Sequence, residues 1–257
     1  MGGLLKISKF NIFIFKLRNA IKRACLGMIN LIFPKACPLC GEIIYKSQNL
    51  CEDCQYKINY IDGPTCLKCG KEVGNEDVEL CKDCKTTTRS YIKGFPAMKY
   101  MEPVDGSIAA FKYHNKRSYA KFFAGEIIRT CGKEILDTNP DVIVPIPVHK
   151  SKMRKRGYNQ AELLARELSG YLSVPVDIEL IERKSNTLPQ KTLNVEEREQ
   201  NLKKAFISTD KIVKYKCALL VDDIYTSGAT VEACTKALYE HGIKEVYYTS
   251  ICIGSGD

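Results

Sequence analysis

The sequence predicts an α/β protein: a parallel sheet flanked by helices, preceded by a small metal-binding module. Three observations predict it. Cys217-Ala218-Leu219-Leu220-Val221 and Val142-Ile143-Val144-Pro145-Ile146 are short apolar runs, the pattern of strands buried on both faces. Each run leads into a polar loop and then a helical pattern, so a strand–loop–helix order occurs twice. Ahead of both, eight of the 13 cysteines form four C-x-x-C pairs between residues 37 and 84.

Composition sets the bounds. The 257 residues suffice for one medium domain plus a small module, and 45% are hydrophobic, which excludes global disorder. The net charge of +9 favours polyanionic partners: phosphate ligands, nucleic acid or acidic lipid. Neither G-x-x-x-x-G-K-[ST] nor G-x-G-x-x-G occurs, which argues against a P-loop NTPase and a dinucleotide fold.

Residues 1–33 mix apolar Leu4, Leu5, Ile7, Phe10, Ile12 and Phe13 with Lys6, Lys9, Lys16, Arg18, Lys22 and Arg23. No uncharged run reaches the length of a membrane span, and no uninterrupted apolar core of a secretory signal is present. Two readings stay open: a helix packed on the body, or a helix lying on an acidic membrane or a partner. With no clear signal, paired cysteines imply metal before disulfides and a reducing cytoplasm, with the inner face of the membrane as the other location.

Residues 34–88 are expected to be a double zinc ribbon. Gly41 and Gly70 directly follow the second cysteine of CPLCG and CLKCG, where a left-handed turn aims backbone N–H groups at thiolates. Four thiolates make a closed tetrahedral Zn²⁺ site, which is structural. Eight make two: Cys37, Cys40, Cys51 and Cys54 in one, Cys66, Cys69, Cys81 and Cys84 in the other. A cross-braced pairing stays open, as does the use of the ribbon as a cap or as a docking surface.

Residues 89–257 form the body, entered through a connector over 85–100. Phe95 to Tyr100 reads as its first strand. Ile108 to Tyr113 reads as a strand or strand end, followed by the polar turn 114–117. Ser118 is placed to cap a helix running to about Leu136. Lys112 and Arg117 are within reach of a phosphate or belong to a solvated basic turn. His114 shows no partner and receives no role. Asp141 to Val148 is the second buried strand, and its two prolines turn its end into a loop. Lys150, Lys152, Arg154, Lys155 and Arg156 then form a basic loop ending at Gly157. Among them Lys150, Arg154 and Arg156 are candidates for a pyrophosphate or a nucleic-acid backbone. A helix follows from Tyr158 or Asn159, with Ala161, Leu163, Leu164 and Leu168 apolar. Val174 to Ile181 carries a further strand, residues 183–206 a polar loop and a short helix, and Tyr247 to Ile253 the last strand.

The stretch from Cys217 to His241 organises the rest. Its strand delivers a small-residue turn to the carboxyl edge of the sheet, where open α/β sheets bind ligands. The helix starts at about Thr230, with Val231, Cys234, Ala237 and Leu238 on one face and Gly242 as its stop. Free N–H groups at a helix start, with the dipole behind them, suit a dianion. Thr226, Ser227 and Thr230 add hydroxyls, Ala229 lies within the same turn, and Gly228 allows close approach. Asp222 and Asp223 instead suit hydroxyl groups, a divalent cation or a developing positive charge. A ribose 5-phosphate has both kinds of group.

VDDIYTSGAT resembles the phosphoribosyl-pyrophosphate (PRPP) motif of type I phosphoribosyltransferases. With the cysteine-rich front, PIPVHKSKMRKRGYNQAELLA, and Arg183, Thr187, Gln190, Leu193, Arg198, Asn201 and Phe206, the chain resembles the ComF family from about Ile32 to Ile253. The resemblance implies a type I phosphoribosyltransferase-like fold, PRPP binding with Mg²⁺, and a segment over 183–206 that closes over the site. It implies a link to bacterial competence. That leaves three functions: a transferase with an unassigned acceptor, using Asp222 and Asp223 in catalysis; a competence factor that binds single-stranded DNA or a helicase-like ATPase; or a PRPP sensor.

Overall fold

The computed structural model describes residues 17–18, 34–45, 48–183, 206–208 and 214–254. The helix expected over 1–33, residues 17 and 18 apart, and the closing segment with Thr187, Gln190, Leu193, Arg198 and Asn201 lie outside the described residues. The chain divides into two compact units, 1–56 and 57–257.

The first unit holds one ribbon. Ala36 pairs antiparallel with Ile43 around a turn through Gly41, whose φ is +80°. The one-turn helix α1 (Glu52–Gln55) follows, with Cys51 at its N-cap position.

The second unit repeats that construction and continues into the sheet. Thr65 pairs with Glu72 around Gly70 at φ +70°, and α2 (Lys82–Thr86) follows Cys81. Then come β1 (Gly94–Lys99), α3 (Val104–Tyr113), α4 (Tyr119–Asp137), β2 (Val142–Pro145), α5 (Lys150–Arg156) and α6 (Gln160–Leu172). A short antiparallel pair, β3 (Ile181–Arg183) with β4 (Phe206–Ser208), precedes β5 (Cys217–Tyr225), α7 (Ala229–Glu240) and β6 (Glu245–Ile253).

The sheet has the order β1-β6-β5-β2 and is parallel throughout. Parallel neighbours need crossovers, and the helices supply them. On one face α4 packs over β1 and β6, α6 over β2 and β5, and the two helices pack on each other. α7 and the β3–β4 pair share the other face with Ala218, Leu220, Val246 and Tyr248. Alternation along β5 turns Leu219 and Val221 the opposite way, so both faces of the strand are buried, as its unbroken apolar run requires. The type I phosphoribosyltransferase-like α/β class expected from the sequence is the class observed.

Four expectations need correction. Ile108 to Tyr113 is the end of a helix, α3, not a strand. Its buried residues Val104, Ser107, Ile108 and Phe111 follow the spacing of one helical face. The basic stretch Lys150–Arg156 is also helical, held by His149 at its start, whose Nδ1 accepts from Ser151 N–H, and by left-handed Gly157 at its end. Between Val174 and Ile181 the chain makes only one bridge, Val176 to Ile143, before β3 begins. Ser118 precedes α4 as expected, but its side chain makes no capping bond.

Candidate functional site

Each ribbon gathers four sulfurs. Those of Cys37, Cys40, Cys51 and Cys54 all lie within 4.8 Å of one another, as do those of Cys66, Cys69, Cys81 and Cys84. Cross-bracing is thereby set aside. Thiolates around one Zn²⁺ at about 2.3 Å stand about 3.8 Å apart. The Cys40–Cys51 and Cys69–Cys81 sulfurs, each pair 3.6 Å apart, fit that tetrahedron. In both knuckles the glycine N–H donates to the carbonyl of the first cysteine at 2.9 Å, closing the turn. These are closed, structural Zn²⁺ sites.

The acid pair sits differently from a turn after a strand. β5 runs on through Asp222 and Asp223 to Tyr225, pairing Asp222 with Ser250 and Tyr225 with Ile253 of β6. The acids are therefore fixed by the sheet itself, at its carboxyl edge. Asp223 accepts an ion pair from Lys112 at 2.9 Å, with the two side chains 14% and 16% exposed. Lys112 comes from the last turn of α3, the helix whose sequence reads as a strand. Asp222 Oδ1 accepts from the Asp223 N–H at 2.8 Å. Burial, and then the Asp223 charge, push Asp222 up to about 7; the Asp223 N–H, Lys112 and Lys152 act against that.

Thr226 and Ser227 are exposed, Ala229 and Thr230 are half-buried, and Gly228 is buried between them. Gly228 has φ +74°, and a Cβ there would lie 2.1 Å from the Tyr225 hydroxyl oxygen. Only glycine fits this turn. α7 starts immediately after it with no side-chain cap. A helix start left uncapped beside exposed hydroxyls is a ready anion site.

A third component is a set of basic side chains. Lys152 lies on the exposed side of α5, but its ammonium is held below the usual lysine range, first by loss of hydration, then by Arg156, Arg183 and Lys112. Arg156 donates to Gln160 Oε1 at 2.8 Å and to the Tyr113 hydroxyl at 3.1 Å, with its guanidinium 4.9 Å from the Tyr113 ring centre. Arg183 is held below the usual arginine range by burial, with Cys234 and Asp222 opposing that. Lys112, Lys152 and Arg183 thus act electrostatically on Asp222, and Arg156 acts on Lys152. Lys150 and Arg154 are exposed along α5.

Sequence reasoning gave no role to four contributors, Arg89, Ser90, Tyr91 and Tyr225. Arg89 Nη2 donates to the Ser227 carbonyl at 2.6 Å, and Ser90 donates through N–H and hydroxyl to both oxygens of Glu232 at 2.7 and 2.6 Å. Tyr225 and Tyr91 join hydroxyls at 2.7 Å. The connector over 85–100 holds an arginine and a tyrosine close together in sequence, but only the fold brings them to a loop 138 residues away.

Comparisons with known proteins agree with this layout. A double zinc ribbon domain matches residues 28–85, and a phosphoribosyl transferase domain matches residues 117–253. "Competence protein F" of Haemophilus influenzae is 30% identical over 213 residues, covering 80% of this chain and 91% of its own. "DNA utilization protein YhgH" of Escherichia coli K12 is 26% identical, covering 86% and 98%. "Competence protein ComFC" of Bacillus subtilis is 26% identical, covering 78% and 82%. The chain belongs to the ComF family: a double zinc ribbon joined to a phosphoribosyltransferase domain, related to competence and DNA-utilization proteins.

Proposed function

We propose that the chain binds PRPP, or another ribose 5-phosphate, at the end of β5, and does so in the service of DNA uptake. One observation carries this reading: a half-buried acid pair near the end of β5 is followed, on the same strand–loop–helix unit, by a glycine-turned, uncapped helix start. The 5-phosphate takes the amides and hydroxyls of Thr226, Ser227, Gly228, Ala229 and Thr230. Asp222 and Asp223 take the ribose hydroxyls. The diphosphate meets Lys152 and Arg156, with Lys150 and Arg154 on the same short helix. Mg²⁺, entering with the ligand, supplies charge neutralisation on the diphosphate.

As a transferase, the site breaks the bond between ribose C1 and the diphosphate oxygen, and the electron pair leaves with the diphosphate. Positive charge then grows on the sugar ring, and Asp222 and Asp223 stabilise it. Holding the phosphate remote from C1 spends binding energy on positioning. Among the described residues none identifies the acceptor.

A second reading keeps the pocket without catalysis and assigns α5 to single-stranded DNA or a helicase-like ATPase. The basic side chains of α5, none of them buried, and the competence and DNA-utilization names of the relatives favour it. The third candidate, a PRPP sensor, keeps the same pocket without transfer, and a peripheral membrane contact through residues 1–33 is a separate proposal.

Melting with PRPP and Mg²⁺ tests the pocket. A shift of several degrees is expected in the wild type and none in the Asp222→Asn, Asp223→Asn double variant. No wild-type shift, or an equal shift in both proteins, sinks the reading. Pyrophosphate release across a panel of nucleobases then separates transferase from binding protein.

A further inference from the structure

The Cys66, Cys69, Cys81 and Cys84 group shares a hydrophobic core with the candidate phosphate loop. Tyr248, fully buried on β6, donates its hydroxyl to the Cys69 carbonyl at 2.7 Å. The Tyr248 ring stacks on Tyr225, with centres 4.8 Å apart and planes 11° apart, and Tyr91 meets it edge-on at 5.0 Å. Tyr225 is the last residue before the loop, and Gly228 folds back onto its hydroxyl. A carbonyl of the zinc knuckle is thus two aromatic rings away from the turn that opens α7.

A second connection runs along the chain. Three residues after α2, which carries Cys84, Arg89 grips the Ser227 carbonyl and Ser90 grips Glu232 in the first turn of α7. Arg89 is only 9% exposed, so this grip is a buried one. The knuckle itself has no slack. A Cβ on Gly70 would lie 2.6 Å from the Gly94 carbonyl oxygen, and one on Gly94 would lie 2.1 Å from the Tyr248 ring. Close-packed contacts of this kind transmit displacement rather than absorb it.

We propose that the second zinc ribbon is a strut for the phosphate loop, with Tyr248, Tyr225 and Arg89 as positioning residues, so that zinc held by Cys66, Cys69, Cys81 and Cys84 and ligand held at 226–230 strengthen each other's binding. The proposal rests on the ribose-phosphate reading for its ligand but not for its mechanical link. Coupling between two sites is reciprocal: whatever the metal does for the ligand, the ligand does for the metal. A ribbon that merely caps the body shows no such reciprocity.

The experiment follows zinc release from the full, two-zinc chain into a chromogenic chelator, with and without ribose 5-phosphate. A Cys40→Ser variant assigns the two phases, by removing the one that belongs to the Cys37 group. The expected result is that ribose 5-phosphate slows release from the Cys66 group about 5-fold or more and leaves the Cys37 group unchanged. A ligand-free arm uses Gly228→Ala and, should that variant not fold, Tyr225→Phe. Either one is expected to speed release from the Cys66 group alone. Ligand that shifts melting yet leaves both release rates unchanged overturns the strut, as does equal slowing of both. If the ligand shifts nothing, the pocket reading fails, and the ligand-free arm decides the strut by itself: unchanged release from the Cys66 group in those variants overturns it.

Discussion

At the scale of residues, the site turns on two adjacent acids with unequal surroundings. Asp223 has Lys112, whereas Asp222 has burial and a like charge beside it. The pair is legible in the sequence as VDD before a small-residue turn. Lys112 reads from sequence only as a phosphate ligand or part of a solvated turn, because its partner lies 111 positions along the chain. A pH dependence follows. Asp222 titrates at about 7 in the folded chain, against 3.8 for an ordinary aspartate, so between these values the folded state holds a proton that the unfolded state has released. Stability from this group is full at acid pH and falls as pH rises through about 7. Asp222→Asn, neutral throughout, is expected to melt a few degrees above wild type at pH 8, with the gap closing towards pH 4. Thermal melts of the ligand-free proteins across that range check it, and a gap that stays constant or opens towards acid would contradict the burial of that carboxylate.

At the scale of elements, two helices that sequence does not reveal, α3 and α5, supply cations to the site. The apolar run of α3 is short enough to pass for a strand unless Val104 is taken together with Ser107, Ile108 and Phe111. α5 has no buried residue, so periodicity has nothing to detect, and its caps His149 and Gly157 are the only local signal. Helicity changes what the basic residues do. Lys150 and Arg154 are one turn apart, as are Lys152 and Arg156, so the helix offers spaced cations instead of a pliable loop. Arg156 is also fixed by Gln160 and Tyr113. If α5 carries single-stranded DNA, a plot of log affinity against log salt should be steep. Replacing Arg154 and Arg156 by Ala should reduce its slope by about 1.4, at about 0.7 for each phosphate no longer neutralised. Equal slopes in both proteins would remove DNA from this helix and leave its cations to the diphosphate.

At the scale of the whole chain, the parallel sheet and the paired cysteines are readable because each is written in contiguous residues: apolar runs for buried strands, fixed spacings for thiolate sites. What spacing alone does not reveal is the different standing of the two ribbons. Their spacing is alike, and both are built from a knuckle, a bridge and a one-turn helix. Yet the compact units divide between them, and the four cysteines of the second ribbon are buried in a cluster with Tyr91, Tyr225 and Tyr248. Structural Zn²⁺ contributes directly to folding, since its ligands are gathered only in the folded chain. The two metals should therefore differ in what their removal does to residues 57–257. Calorimetry of Cys69→Ser is expected to show the main transition lowered by more than about 10 °C, with about one Zn²⁺ left per chain. Cys40→Ser should also retain about one Zn²⁺, but keep the main transition within about 2 °C of wild type, because that ligand belongs to the other unit. Equal lowering in the two variants would mean that the chain folds as one cooperative body and that the division at residue 56 has no energetic counterpart.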